Sequence, residues 1–330
     1  MNTQEIKELI SNSIFDRAIV VNDQCVLINL DWLTDRNYQS QGINELIFLA
    51  GQYTNNIFVF LIRDGVNCKL TGLDYAIRKI INNLNLTAQT CYIYGYDDLQ
   101  IENTTFIQLD TTQMWCSLVY HELKNYKPNY NFFTKKFAAL FGRHDFYRLK
   151  IIKYLHENYR SDCLLSYNSK IGKCNHRFQS WFDDDLAWYS DNCPILLDFD
   201  ATEGWVPYQK SLGKITKHCD LYFLEIVAET DPYSNKFFTE KSLKNFYLQK
   251  PFLLMSEKHS LKQLQQKGFK TFTPWINESY DEISCPNKRL NAILREIDRL
   301  SSISITDLNS MYLEMAPVLE HNRQNFLKFI

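Results

Sequence analysis

"KKFAALFGRHDFYRLKIIKYL", residues 135–155, changes its period halfway along. The first seven residues form a short apolar run of strand length, "GRHD" reads as a turn, and the rest repeats apolar residues at helical spacing. The pattern predicts a strand over 137–141 and a helix over 145–157. Counting about 100° per residue from Arg148, the apolar Leu149, Ile151, Ile152 and Leu155 fall at about 100°, 300°, 40° and 340°. Lys150, Lys153 and Glu157 lie on the other side, near about 140–200°. Arg148 therefore stands in the middle of the buried stripe, and a buried guanidinium requires a partner. That partner is either a carboxylate such as Asp220 or Glu225, or an anion held where the helix leaves the strand.

Outward from this stretch the same alternation recurs. Strands are predicted at 18–21, 26–29, 57–62, 91–94 and 106–109, with helices at 73–84 and 111–123. Beyond residue 157 come strands at 163–167, 195–197, 221–227, 251–255 and 269–272, with helices at 208–215, 239–248 and 260–267. Alternating strands and helices imply parallel sheets covered on both faces. The segment "KNYKPNYN" at 124–131 is polar, holds a proline and has no period, so it reads as a linker. Residues 280–330 show two helices and no strand. The expected fold is α/β: two Rossmann-like lobes with parallel sheets, residues 1–130 and 131–300, plus a C-terminal helical tail, 301–330, packing back on the lobes. Ligands of such sheets bind beyond the carboxyl ends of the strands.

Charge and composition narrow the function. The 330 residues carry 36 basic and 38 acidic side chains, a net charge of -2, which offers no basic field for a nucleic acid. Apolar runs such as "IFVFLI" at 57–62 fall well short of the ~20 residues a spanning helix needs. Residues 1–18 have neither a basic start nor a continuous apolar core, so no signal peptide is expected there. Nine cysteines, an odd number with no Cys-x-x-Cys pair, read as reduced thiols, and a cytoplasmic location is expected. Cys174 and His176 lack a second pair at zinc spacing, and no metal site is expected from them.

A second strand–loop–helix junction is "ETDPYSNKFFTEKSLKNF", residues 229–246. Thr239 suits an N-cap and Glu240 suits the positive end of a helix dipole. Lys241 does not: a first-turn cation costs a few tenths of a kcal/mol unless an anion sits there. Arg148 and Lys241 thus both place a cation in the first turn of a helix that follows a strand of the same lobe. Together they suit a diphosphate, with Arg143 and His144 in the earlier turn able to add to it. Glu229, closing the strand, is placed to accept hydrogen bonds from ribose hydroxyls.

Here the chain resembles the α1,3-fucosyltransferases, which are GT-B-fold glycosyltransferases. The resemblance rests on "FLEIVAE" (223–229) followed by "FFTEK" (237–241), and on the strand, turn and arginine-bearing helix of 135–155. It extends through "KPFLLMSEKHSLKQLQQKGFKTF" and covers about residues 135–275. The loop after Glu229 is slightly longer than the family's, Thr230 stands in place of its asparagine, and "GRHD" replaces its Ser-Asn-Cys turn. What the resemblance implies is a GT-B-type fold in which Glu229 contacts the ribose, Arg148 and Lys241 bind the diphosphate, and Glu240 lies near the sugar or the ribose. Thr239 and Arg143 complete the donor-binding set. The implied activity is metal-independent, inverting transfer of a sugar from a nucleotide-diphosphate sugar, such as GDP-fucose, to a hydroxyl of a glycan, protein or small molecule. No cofactor besides the donor is implied. The general base is expected from the N-terminal lobe, where Asp31, Asp35, Glu45, Asp64, Asp97 and Glu102 are all available.

Two other readings compete. A metal-dependent GT-A glycosyltransferase would hold Mg or Mn on paired aspartates, for which "FDDDLAW" (residues 183–185) and the strand-end pair Asp198 and Asp200 are candidates. A non-catalytic nucleotide-sugar or glycan-binding module would keep the donor residues and lack the base.

Overall fold

The structure, a computed structural model, describes residues 19–21, 25–29, 40–53, 56–61, 73–87, 91–95, 101–102, 104–108, 111–127, 132–142, 145–167, 183–195, 197, 216–229 and 238–330. The chain is mixed α/β with parallel sheets, and it divides into two compact units, Met1–Asp110 and Thr111–Ile330.

The first unit holds a five-stranded sheet in sequential order: β1 (Ile19–Val21), β2 (Cys25–Asn29), β3 (Ile57–Leu61), β4 (Cys91–Gly95) and β5 (Thr105–Gln108). Only the β1–β2 pair is antiparallel. Helices α1 (Ser40–Ala50) and α2 (Leu73–Leu84) fill the crossovers and pack on each other. Alternation sends Val26, Ile28, Phe58, Phe60 and Ile93 to one face, where they meet Ile43, Leu46, Ile77 and Ile80 of the helices.

The second unit opens with α3 (Thr111–Leu123), whose Cys116, Val119 and Leu123 join that unit's core. The division therefore falls at Asp110, ahead of this helix, and not in the polar 124–131 segment. Next come β6 (Lys135–Phe141), α4 (Phe146–Tyr159), β7 (Cys163–Tyr167), α5 (Asp183–Asn192), β8 (Tyr222–Ala228), α6 (Glu240–Tyr247), β9 (Phe252–Met255) and α7 (Ser260–Gln266). Helices α8 (Pro286–Ser301) and α9 (Ile305–Leu327) end the chain. The sheet order is β7-β6-β8-β9, all parallel. From β6 the chain moves one way to β7, and from β8 it moves the other way to β9. The order thus reverses between β6 and β8, and right-handed crossovers put α4 and α6 on opposite faces. In agreement, α8 packs on α4, whereas α3 and α9 pack on α6.

Several expectations fall differently. Residues 269–272 form no strand, because side chains take the ladder bonds: Asn322 brackets Lys270 through its N–H and C=O, and Glu278 accepts from Phe272 N–H. Of the strand expected at 195–197, Ile195 makes a single antiparallel bridge to Tyr167. The helix at 208–215 lies outside the described residues. Helices 40–50 and 183–192 were not expected from periodicity. Among the described residues no helix is long and apolar enough to cross a membrane.

Candidate functional site

The reversal point between β6 and β8 is where a sheet of this kind opens a ligand edge at its carboxyl ends. Two helices start there. Helix α4 leaves β6 with Asp145 as its N-cap, the carboxylate accepting Arg148 N–H at 2.9 Å. Helix α6 follows β8 with Thr239 as N-cap, its hydroxyl oxygen accepting Lys241 N–H at 3.2 Å.

Arg148 is buried, as its position in the apolar stripe requires. Its partners are not Asp220 or Glu225. Nε and Nη2 donate to the carbonyl of Ala228, the last residue of β8, at 3.2 and 2.8 Å, and Nε lies 2.8 Å from Asp145 Oδ2. Asp220 instead accepts from the Tyr126 hydroxyl, and Glu225 pairs with Lys244 inside the β8–α6 layer. Arg148 thereby ties the start of α4 to the end of the neighbouring strand.

Glu229 does the same for α6. Its side chain is covered, and its oxygens accept from Thr239 N–H (3.1 Å), the Thr239 hydroxyl (2.7 Å) and the Ser242 hydroxyl (2.5 Å). Three donors on a carboxylate with about four lone-pair sites leave little capacity for a ribose. Glu240 is more open: its carboxylate meets Lys241 Nζ at 2.9 Å at the mouth of the helix. Lys241 keeps 27% of its side-chain surface exposed and also reaches Thr239 Oγ1 at 3.1 Å.

The two helix starts sense each other. Burial pushes the Asp145 carboxyl up from its ordinary value, while Arg148, the N–H groups of Arg148 and Tyr147, and Lys241 pull it back. Two cations, Arg148 and Lys241, stand among three carboxylates, Asp145, Glu229 and Glu240. Arg148 is held by protein groups, so Lys241 is the cation with surface to offer an anion.

Arg143 and His144 lie outside the described residues, as do Asp31, Asp35, Asp64, Asp97, Cys174, His176, Asp198 and Asp200. Glu45 falls in α1 with its side chain outside the description, and Glu102 is exposed in a turn. Residues 183–185 open helix α5; Asp185 is buried between Lys150 (2.5 Å) and Lys153 (3.4 Å). Among the described residues no group of three or more His, Cys, Asp or Glu side chains is placed to hold a metal. Asp145, Ser242 and the Ala228 carbonyl were not foreseen. An aspartate three residues before Arg148 is an N-cap signal that marks the first of them.

A cavity of about 700 Å³ lies elsewhere in this unit, among Leu261, Lys262, Pro274, Glu278 and Arg299. It contains none of the helix-start residues. Its carboxylates serve the fold: Asp281 accepts from Leu261 and Lys262 N–H at the start of α7, and Glu278 from Phe272 N–H and the Thr273 hydroxyl.

Comparison of the chain with protein-family models, with curated proteins and with solved structures finds no match in any of the three.

Proposed function

We propose that the chain is a glycosyltransferase of GT-B type that takes its sugar from a nucleotide-diphosphate donor held at the carboxyl edge of the second unit. One observation carries the reading: the helices that follow the two strands at the reversal point each carry a cation in the first turn, Arg148 beside Asp145 and Lys241 beside Glu240. The positive end of a helix and a nearby cation favour a phosphate, and most of all one gaining charge as a leaving group.

In this reading Lys241 turns from Glu240 to the diphosphate, and Arg148 acts by fixing α4 and the end of β8. The acceptor oxygen forms its bond to the anomeric carbon as the bond from that carbon to the diphosphate breaks. The acceptor proton passes to a carboxylate acting as general base, and inversion follows from attack opposite the leaving group. GDP-fucose is the donor the sequence resemblance favours.

A thermal-shift screen against UDP-, GDP-, dTDP- and CMP-sugars tests this, the last lacking a diphosphate. A donor at about a hundred times its dissociation constant adds about 2.7 kcal/mol of stability. The expected result is a shift with one diphosphate donor that Lys241→Ala abolishes. No shift with any of them, or an unchanged shift in Lys241→Ala, sinks the reading. A shift without diphosphate release, over glycan, protein and small-molecule acceptors, turns it into a non-catalytic binding module.

A further inference from the structure

We propose that Ser256 is a ligand-binding residue of this edge, pairing its hydroxyl with a hydroxyl of a polyol, either the ribose or the transferred sugar; the inference rests on the donor reading above.

Ser256 is the first residue after β9, beside the end of β8. The two strands pair Ala228 with Met255, and Glu229 N–H donates to the Met255 carbonyl at 3.0 Å. One further step of that register sets Ser256 next to Glu229. Alternation decides which face it takes. Glu225 and Phe252 are paired across the strands, and both meet α6: Glu225 through Lys244, Phe252 through the ring of Phe246. Four residues on, Glu229 and Ser256 belong to the same face, where Glu229 reaches Thr239 and Ser242.

Ser256 is 1% exposed, and its hydroxyl has no hydrogen-bond partner. Buried hydroxyls are nearly always paired, and an orphan costs free energy that packing alone does not recover. The residue is not loose, since its carbonyl accepts from the guanidinium of Arg289. A fixed backbone thus presents an unused donor and acceptor beside a carboxylate. That carboxylate selects the ligand group: a phosphate oxygen would be repelled by Glu229, whereas a neutral hydroxyl is not and can pair with the Ser256 hydroxyl as donor or acceptor. Both residues are covered by the protein, so ligand contact requires side-chain rearrangement at this edge.

Isothermal titration of wild type and Ser256→Ala distinguishes the outcomes. The probes are GDP and UDP, their 2′-deoxy and 3′-deoxy forms, and GDP-fucose and UDP-glucose. The substitution is expected to weaken binding about tenfold, the worth of one hydrogen bond. A ribose partner gives that loss with the ribonucleotide and none with one deoxy form; a sugar partner gives it only with the sugar nucleotide. The thermal midpoint of Ser256→Ala without ligand should equal or exceed that of wild type, because only an orphan hydroxyl is lost. Unchanged affinity for every probe overturns the proposal and leaves the donor reading intact. An equal loss with all probes overturns the hydroxyl assignment. Failure of wild type to bind any nucleoside diphosphate overturns both.

Discussion

Lys250 is a buried lysine. It is 0% exposed, donates to the Tyr222 carbonyl at 2.6 Å, and lies 4.1, 4.7 and 5.8 Å from the ring centroids of Phe133, Tyr222 and Tyr312. Burial pushes its pKa down to about 7, against the pull of Cys219, Asp220 and Glu225. An unfolded lysine titrates near about 10.4. Between those values the unfolded chain holds a proton that the folded chain does not, so stability rises with pH across that window and is lost as pH falls through about 7. The steepest slope is about 1.4 kcal/mol per pH unit. Urea denaturation at pH 6.5 and pH 9 should show this gain in wild type and a much smaller one in Lys250→Met. Equal pH dependence in the two proteins would mean that the ammonium stays charged, held by its three rings and the carbonyl.

At the scale of elements, the start of α6 depends on a single carboxylate–hydroxyl cluster. Glu229 and Thr239 lie ten residues apart, yet two hydrogen bonds join them, and Ser242 adds a third to the same carboxylate. Thr239→Ala removes the N-cap and one of the three donors to Glu229, and is expected to cost about 1–2 kcal/mol. Thr239→Ser should retain most of the stability. A urea midpoint for Thr239→Ala equal to that of wild type would show that the cluster does not hold the helix. Much of this was legible in the sequence: Thr239 as a cap, the helix behind it, and Arg148 inside an apolar stripe all follow from local spacing. The partners were not, because they come from tertiary register. Arg148 meets a carbonyl 80 residues away, and Glu229 turns inward because α6 packs over the end of its strand. The same limit explains residues 269–272, an apolar run that periodicity reads as a strand. There Asn322 of α9 supplies the bonds a neighbouring strand would have made.

For the whole molecule, each unit has its own core. Among the described residues, the buried apolar side chains of one cluster come from residues 26–101 and those of the other from residues 116–326. Helix α3 is the element whose allegiance matters, since a division at the polar 124–131 segment would separate it from the second core. Cys116, Val119 and Leu123 are buried in that core, and Tyr120 packs edge-on to Tyr247 of α6 at 5.9 Å. Burial of apolar side chains of this size is worth about 1.5–3 kcal/mol each, so the three together approach the about 5–15 kcal/mol that stabilises a typical domain. A chain of residues 111–330 is therefore expected to unfold in one cooperative transition by circular dichroism and to keep the thermal shift with the diphosphate donor. A chain of residues 131–330 should unfold at a markedly lower denaturant concentration or lack a cooperative transition altogether. Equal midpoints for the two would show that α3 is a passive connection. Loss of the donor response from 111–330, with its fold intact, would place part of the donor contact in the first unit.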